Sequence, residues 1–283
     1  MSERGRVVVR DLGIGKVLGG VEFALEPGGC LGVIGVNGAG KSTLCALLAG
    51  VLPSKKGRIQ GLGPTAYLPE GCPLDATIRV RDWLRMGATL PDWDPQAAEQ
   101  LRADFELPQK SFAGRLSQGQ RVRLGLILTL ARRAPFYVLD DPFLGLDPVA
   151  LVNAERWIAE RSADAGMVIA AQHAQALERL CTHLLLLNRG RQVWFAPVDD
   201  WRRRFKALRV RGIDGPVGDT AEGALWTTTR GGLLHLLLDD LDGSAEAKLV
   251  AAGGDVERMP LSIEELIEAV AGRDDRKGAR SSG

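Results

Sequence analysis

The stretch that decides the fold is Leu31-Gly32-Val33-Ile34-Gly35-Val36-Asn37-Gly38-Ala39-Gly40-Lys41-Ser42-Thr43. Its first four residues form a short apolar run, which predicts a buried strand. Residues 44–49 are good helix formers that end at Gly50, so they predict a helix. In a strand, glycine loop and helix of this order, backbone N–H groups and the helix N-terminus converge on an anion. The stretch therefore predicts a phosphate-binding loop.

The loop carries the residue types that bind a nucleoside triphosphate together with Mg²⁺. Lys41 is placed to reach the β and γ phosphates, and the Ser42 hydroxyl is placed to ligate Mg²⁺. We predict that the nucleotide is bound by Gly35, Val36, Asn37, Gly38, Ala39, Gly40, Lys41, Ser42 and Thr43.

A pair of carboxylates follows a second apolar strand. Residues 136–139 predict this strand, and Asp140-Asp141-Pro142 comes directly after it. A carboxylate at the carboxyl end of a strand beside a phosphate loop can hold Mg²⁺. The alternative is an ordinary Asp-Asp-Pro turn that ends the strand.

Two polar segments flank these carboxylates. The first is Leu116-Ser117-Gln118-Gly119-Gln120 (the LSQGQ segment), which precedes a helix-like run to about Arg133. Ser117 is a good N-cap, and a hydroxyl at a helix N-terminus can bind an anion, although a plain helix cap explains it equally. The second is Leu144-Gly145-Leu146-Asp147 (the LGLD loop), before a predicted helix over 149–161.

A lone histidine, His173, follows a third predicted strand over 167–171. A single histidine is more often structural than catalytic. Its position favours a functional role, because parallel sheets bind ligands at the carboxyl ends of their strands.

Composition limits the classes of protein that remain. The chain has 283 residues and a net charge of +1, which argues against a general nucleic-acid binder. Glycine is unusually frequent, at 35 residues, or about 12% against a usual value of about 7%. Residues 205–283 have 10 basic and 14 acidic side chains, whereas residues 1–204 have 26 and 21, so we expect a domain boundary near 205.

Membrane and redox signals are weak in the sequence. No apolar run approaches 18 residues, and the N-terminus lacks an apolar signal region. The cysteines, Cys30, Cys45, Cys72 and Cys181, are scattered and read as reduced thiols, with neither a disulfide framework nor a zinc site indicated.

The order of these motifs resembles the ATP-binding cassette (ABC) ATPases over roughly residues 6–200. Ser117 lies 23 residues before Asp140, and Asp141 lies 32 residues before His173, which agrees with that family. The resemblance implies an α/β P-loop NTPase cassette with a parallel core sheet, an antiparallel β subdomain and a helical subdomain. We expect the ATP-binding domain over 1–204, with its helical subdomain over about 71–133. A small C-terminal α+β domain over 205–272 and a disordered tail over 273–283 are expected to follow.

The resemblance also implies roles for individual residues. ATP and Mg²⁺ are the expected cofactors, with Mg²⁺ held by Ser42, Asp140 and Glu70. Asp141, His173 and Glu70 are the expected catalytic residues. Two cassettes would pair head to tail around ATP, so that the opposite subunit supplies Ser117, Gln118, Gly119, Gln120 and Asp147.

Four departures from the family pattern bear on activity. Asp141 stands where the family usually has Glu, and its reach is about 1.5 Å shorter, so we hypothesise slow hydrolysis or a compensating shift of the loop. Glu70 stands where the family has Gln, and we hypothesise that its carboxylate partly supplies the misplaced charge. The adenine-stacking aromatic residue is missing, which leaves Leu12 or Ile14 to contact the base. Gln118 replaces a Gly, which looks tolerable.

The remaining segments indicate partners. The 47 residues from Glu70 to Ser117 include Trp83 among several arginines, which suits a docking surface, although an ordinary amphipathic helix explains it equally. The ending Pro260-Leu261-Ser262-Ile263-Glu264-Glu265-Leu266-Ile267 resembles the tail of ATPases that serve ABC-2-type exporters.

We therefore interpret the chain as the ATPase subunit of an ABC transporter, with export favoured over import. We expect a homodimer, a separately encoded polytopic permease and a cytoplasmic location at the inner face of the membrane. A slowly hydrolysing ATP-dependent switch and a non-transport ABC ATPase with a soluble partner remain as alternatives.

Overall fold

The computed structural model describes residues 6–171, 174–212, 224–231, 233–240 and 242–269. His173 and the predicted tail over 273–283 lie outside the described residues. The chain forms two compact units, Met1–Phe195 and Ala196–Gly283, and each is described by itself.

The main sheet contains nine of the described strands. They are β1 (Val7–Ile14), β2 (Leu18–Leu25), β3 (Cys30–Ile34), β4 (Lys56–Gln60), β5 (Thr65–Leu68), β6 (Phe136–Asp140), β7 (Gly166–Ala170), β8 (His183–Asn188) and β9 (Arg191–Pro197). Their spatial order is β4-β1-β2-β9-β8-β3-β7-β6-β5. Strands β1, β2 and β4 pair antiparallel, whereas β3, β5, β6, β7 and β8 pair parallel. The sheet therefore combines the predicted parallel core with an antiparallel part.

The parallel core strands are more deeply buried than the antiparallel strand β2. Every residue of β3 and of β6 is buried, as expected for strands that are covered on both faces. Strand β2 instead mixes buried and exposed positions, because one of its faces meets solvent. The fully buried strands carry the phosphate loop and the acidic pair at their carboxyl ends, so the site rests on the best-packed part of the unit.

The helices of the first unit are α1 (Lys41–Leu48), α2 (Val80–Gly87), α3 (Pro95–Phe105), α4 (Gln118–Leu130), α5 (Pro148–Ser162) and α6 (Ala174–Leu180). Helices α2, α3 and α4 lie in sequence between β5 and β6, where the helical subdomain was expected. Helix α4 ends at Leu130, three residues before the predicted end, and the backbone N–H of its C-cap, Ala131, bonds to Ile127. The α/β cassette fold predicted from the sequence is confirmed.

The second unit has an α+β arrangement. Its elements are α7 (Val198–Arg204), β10 (Phe205–Arg211), β11 (Ala224–Arg230), β12 (Leu233–Asp239), α8 (Ser244–Ala251), β13 (Asp255–Met259) and α9 (263–269). The strands form an antiparallel sheet in the order β11-β12-β10-β13. Composition placed the boundary near 205, whereas the compact unit begins at Ala196, because α7 packs against β10.

Candidate functional site

A cavity of about 340 Å³ lies where the phosphate loop, β6 and β7 meet. It is lined by Val17, Asn37, Gly38, Gly40, Lys41, Ser42, Thr43, Glu70, Asp140, Asp141, Ala170 and Ala171. The structure thus brings together residues that are up to 154 positions apart in the chain. Its volume lies within the range of small-molecule sites.

Lys41 is held by the loop that precedes it. Its Nζ donates hydrogen bonds to the carbonyl oxygens of Gly35, at 2.8 Å, and Val36, at 3.2 Å. Burial lowers the pKa of Lys41, while Asp141, Asp140 and Glu70 act in the opposite direction. Gly35 cannot be replaced without moving the loop, because a Cβ there would lie 2.3 Å from the carbonyl oxygen of Leu187.

Three carboxylates face the lysine across the cavity. The Ser42 hydroxyl donates to Glu70 Oε2 at 3.2 Å, while Asp140 is 3% and Asp141 is 5% exposed. The pKa of Asp140 is raised to about 6, mainly by burial and also by the charges of Glu70 and Asp141, while the Ser42 hydroxyl and the charge of Lys41 oppose the rise. The pocket therefore favours a cation beside Asp140 once this carboxyl is ionised.

The donor set fits Mg²⁺. Asp140 Oδ2 is buried and has no hydrogen-bond partner among the described residues, and Ser42 and Glu70 supply further oxygen atoms. Within the described part of the chain, no three His, Cys, Asp or Glu side chains form a metal site by themselves. Mg²⁺ is commonly bound by one or two carboxylates together with phosphates and water.

Asp141 has an unusual backbone conformation. Its φ is 54°, and its backbone N–H donates to the carbonyl oxygen of Ala170 at 2.7 Å. Asp is one of the few residue types enriched in this left-handed region. The turn after β6 therefore supplies a structural reason for Asp at this position.

The LSQGQ segment is a helix cap packed on the LGLD loop. Ser117 Oγ accepts from the Gln120 N–H at 3.2 Å, and Gln120 Oε1 accepts from the Ser117 N–H at 3.0 Å, so the predicted N-cap is confirmed. Gln118 is exposed, whereas Gly119 is buried. A Cβ on Gly119 would lie 2.1 Å from the carbonyl oxygen of Gly145.

Asp147 is bound within its own chain. Its side chain accepts from the N–H groups of Val149, at 3.1 Å, and Ala150, at 2.9 Å, and it also pairs with Arg123 of α4. The hydrogen bond from Ala150 is the main cause that lowers the pKa of Asp147. Arg123 was not singled out in the sequence, because its partner lies 24 residues away.

We expect Gly119→Ala to destabilise the protein by about 1–3 kcal/mol, as overpacking of a buried contact does. The added methyl group meets a main-chain carbonyl oxygen, so α4 or the LGLD loop has to shift. Urea unfolding measures the change, with Gln118→Ala at the exposed neighbour as the control. Equal stability of the two variants would contradict the packing assignment.

The raised pKa of Asp140 predicts a pH-dependent stability in metal-free buffer. The ordinary value is 3.8 and the folded value is about 6. Ionised Asp140 therefore weakens the folded state at pH 7, and this weakening is relieved as the pH falls through 6. We expect Asp140→Asn to melt roughly 2–4 °C above the wild type at pH 7, with a smaller difference at pH 5. A difference in melting temperature that is the same at both pH values would refute this.

The residues expected to contact adenine need correction. Leu12 is 0% exposed and belongs to the apolar core, so its assignment as a base contact is wrong. Ile14 is partly buried against that core and does not line the cavity. Val17, which the sequence analysis missed, lines the cavity and is 58% exposed. Its position as the last residue of the turn between β1 and β2 is the signal that could have indicated it.

These features define a nucleotide-binding P-loop unit, and the comparisons identify its family. The chain belongs to the ABC transporter ATP-binding proteins, because it is 30% identical to one of them over 94% of that protein's length, and the ABC transporter family matches residues 18–144. It is therefore an ATP-binding subunit of the ABC ATPase class, whose members hydrolyse ATP, work with membrane permeases and dimerise. Among the described residues, no helix combines the length and apolarity needed to cross a bilayer.

Relatives with both directions of transport in their names are similar to the chain. The hemin import ATP-binding protein HmuV of Bordetella pertussis is 30% identical over 249 residues, which cover 77% of this chain and 94% of HmuV. The cytochrome c biogenesis ATP-binding export protein CcmA of Sphingopyxis alaskensis is 34% identical over 155 residues, covering 54% and 80% of the two chains. A solved ATP-binding subunit of an ABC transporter is 30% identical with a TM-score of 0.63, covering 70% of this chain and 92% of that one.

Proposed function

We propose that the chain is the Mg²⁺-dependent ATPase subunit of an exporter and that it powers a separate membrane permease. The observation that supports ATP hydrolysis is the meeting of Lys41, Ser42, Asp140 and Asp141 in one cavity. Support for export comes from the closing segment at 260–267. There, Ser262 and Glu265 cap α9 reciprocally, as their spacing predicts.

Different side chains of the cavity have different roles in hydrolysis. Lys41 and the loop N–H groups bind the phosphates, while Ser42, Asp140 and Glu70 hold Mg²⁺. When bound, Mg²⁺ neutralises charge on the phosphate oxygens. Asp141 orients the attacking water and accepts its proton as the water adds to the γ phosphorus. His173 is proposed to contribute to hydrolysis, as the family resemblance implies.

Closure of a homodimer would complete each site. The second copy would present Ser117, Gln118, Gly119 and Gln120 to the γ phosphate, and its Asp147 would cross the seam. The contact of Gly119 with Gly145 supports this arrangement, since it fixes the LSQGQ segment and the LGLD loop of one chain against each other.

We propose that a basic surface on the helical subdomain docks the permease at the inner face of the membrane. This basic surface consists of Arg79, Arg81, Arg85, Lys110 and Arg115. The guanidinium carbon of Arg79 lies 4.6 Å, and that of Arg115 6.0 Å, from the ring centroid of Phe112.

Charge indicates what the basic surface binds. Arg81 and Arg85 pair with Asp82, whereas Arg79, Lys110 and Arg115 have no acidic partner in the described part of the chain. Cations held in place on an aromatic ring and lacking a carboxylate suit an acidic segment of the permease.

Co-purification from detergent-solubilised membranes tests the function. We expect one polytopic membrane protein, identified by mass spectrometry, to accompany the wild-type chain and to stimulate its steady-state ATPase activity. Arg79→Glu with Arg115→Glu should reduce its recovery about tenfold or more, as loss of interface hot spots does. Arg58→Glu, an exposed arginine on β4, is the matched control. Retention of the permease by the double variant would exclude the basic surface.

A slowly hydrolysing switch is the second candidate. The short side chain of Asp141 and its left-handed backbone favour it. If turnover stays slow with the permease present, while ATP remains bound, the chain is a switch and not the ATPase that powers transport.

A further inference from the structure

We propose that Glu70 enables the protein to bind a divalent cation in the phosphate-loop cavity before any nucleotide arrives. The inference rests on the proposed Mg²⁺ site and adds an order of binding to it: first the cation, then ATP.

The pocket is lined by more acidic than basic side chains. Its lining includes the carboxylates of Glu70, Asp140 and Asp141 and the single ammonium of Lys41. That ammonium donates to the carbonyl oxygens of Gly35 and Val36. Neither Glu70 nor Asp140 forms an ion pair within the described residues. The pocket therefore has a surplus of negative charge that a cation would neutralise.

One buried carboxylate oxygen of the pocket receives no hydrogen bond from the described residues. Asp140 lines the cavity and is 3% exposed, and its buried Oδ2 has no hydrogen-bond partner among the described residues. Leaving such an atom without a partner is costly, since buried polar groups are normally paired. A metal ion satisfies an acceptor that no N–H or O–H reaches.

Three side chains with oxygen ligands converge on the cavity from different elements. Ser42 lies in the first turn of α1, Asp140 ends β6, and Glu70 follows β5 by two residues. The Ser42 hydroxyl donates to Glu70 Oε2 at 3.2 Å, and Ser42, Glu70 and Asp140 line the same cavity. Two carboxylates and a hydroxyl suit Mg²⁺ or Mn²⁺, whose other positions are taken by water.

A consequence for the nucleotide follows from the same charges. ATP brings further negative charge to a pocket that already has more carboxylates than ammonium groups. Binding of the cation first offsets this surplus of negative charge, so nucleotide without a cation should bind weakly. Glu70 is the side chain that sets this requirement, and it is exposed, so its replacement leaves the packing intact.

Titration of nucleotide-free protein with Mn²⁺, followed by the electron paramagnetic resonance signal of free Mn²⁺, tests the proposal. We expect one Mn²⁺ per wild-type chain and a loss of affinity of about 10–100-fold in Glu70→Gln, which keeps the shape and removes the charge. Glu22→Gln, an exposed residue of β2, is the control and should bind as the wild type does.

In a second measurement, the same substitution should strengthen binding and not weaken it. In the presence of EDTA, we expect Glu70→Gln to bind ATP about tenfold more tightly than the wild type, since one repulsive charge is gone. Absence of Mn²⁺ binding without nucleotide, or equal Mn²⁺ affinity of wild type and Glu70→Gln, would overturn the proposal even if ATP is hydrolysed. Mn²⁺ binding in a protein that does not hydrolyse ATP would support the proposal and refute the ATPase mechanism.

Discussion

Lys41→Ala is expected to reduce ATP hydrolysis by at least about 10²–10³-fold, the cost of removing one preorganised donor to developing charge. Lys41 is the ammonium that lines the cavity beside the phosphate loop. Its loss leaves the phosphates facing three carboxylates with only backbone donors to offset them. Phosphate release at saturating Mg²⁺ and ATP measures the effect.

The fold should survive this substitution, which makes the test clean. Burial lowers the pKa of Lys41, which means that the folded protein disfavours its charged form. The charge of Lys41 therefore contributes little to the free energy of unfolding. We expect the variant to melt no lower than the wild type. Lys55→Ala, an exposed lysine before β4, is the control for loss of a positive charge. Retention of more than roughly a tenth of the wild-type rate would rule out a phosphate-binding role, given the size of the expected loss.

Replacement of Asp141 has the second large expected effect. Asp141→Asn removes the proton acceptor, and we expect turnover to fall about 10²–10⁴-fold, the usual contribution of a general base. Single-turnover measurements with excess enzyme isolate this step from product release. A fall of less than about tenfold would assign the proton to another group.

The substitution Asp141→Glu tests whether the length of the side chain or the backbone conformation at position 141 limits the rate of ATP hydrolysis. One additional methylene extends the carboxylate by about 1.5 Å, and a displacement of about 1 Å can change a rate about a hundredfold. Against this, the left-handed backbone at φ 54° suits Asp. We expect the gain in reach to prevail, with a rate about tenfold or more above the wild type. An unchanged or lower rate would show that the hypothesis of slow hydrolysis is wrong.

Local patterns predicted the parts of the fold that depend on nearby residues. The apolar runs gave β3, β6 and β7 to within a residue, because buried parallel strands consist of continuous apolar residues. The Ser117 cap was also predictable, since its partner Gln120 is three residues away. The cassette class followed from motif order, which the family match confirms.

Contacts between distant segments were not predictable in this way. Leu12 and Val17 are both aliphatic and lie five positions apart, yet one is fully buried and the other 58% exposed, because Leu12 lies in β1 and Val17 lies in the turn that joins β1 to β2. The boundary near 205 came from a change in charge, whereas the compact unit begins where α7 starts to pack on β10. Charge composition does not report which helix packs on which strand.

The contact between Gly119 and Gly145 has a genetic consequence. The atom that a methyl group at 119 would strike is a carbonyl oxygen, which every amino acid carries. No substitution at 145 can therefore make room for it. A selection for suppressors of Gly119→Ala should return changes that reposition the LGLD loop as a whole, and none at the contact itself.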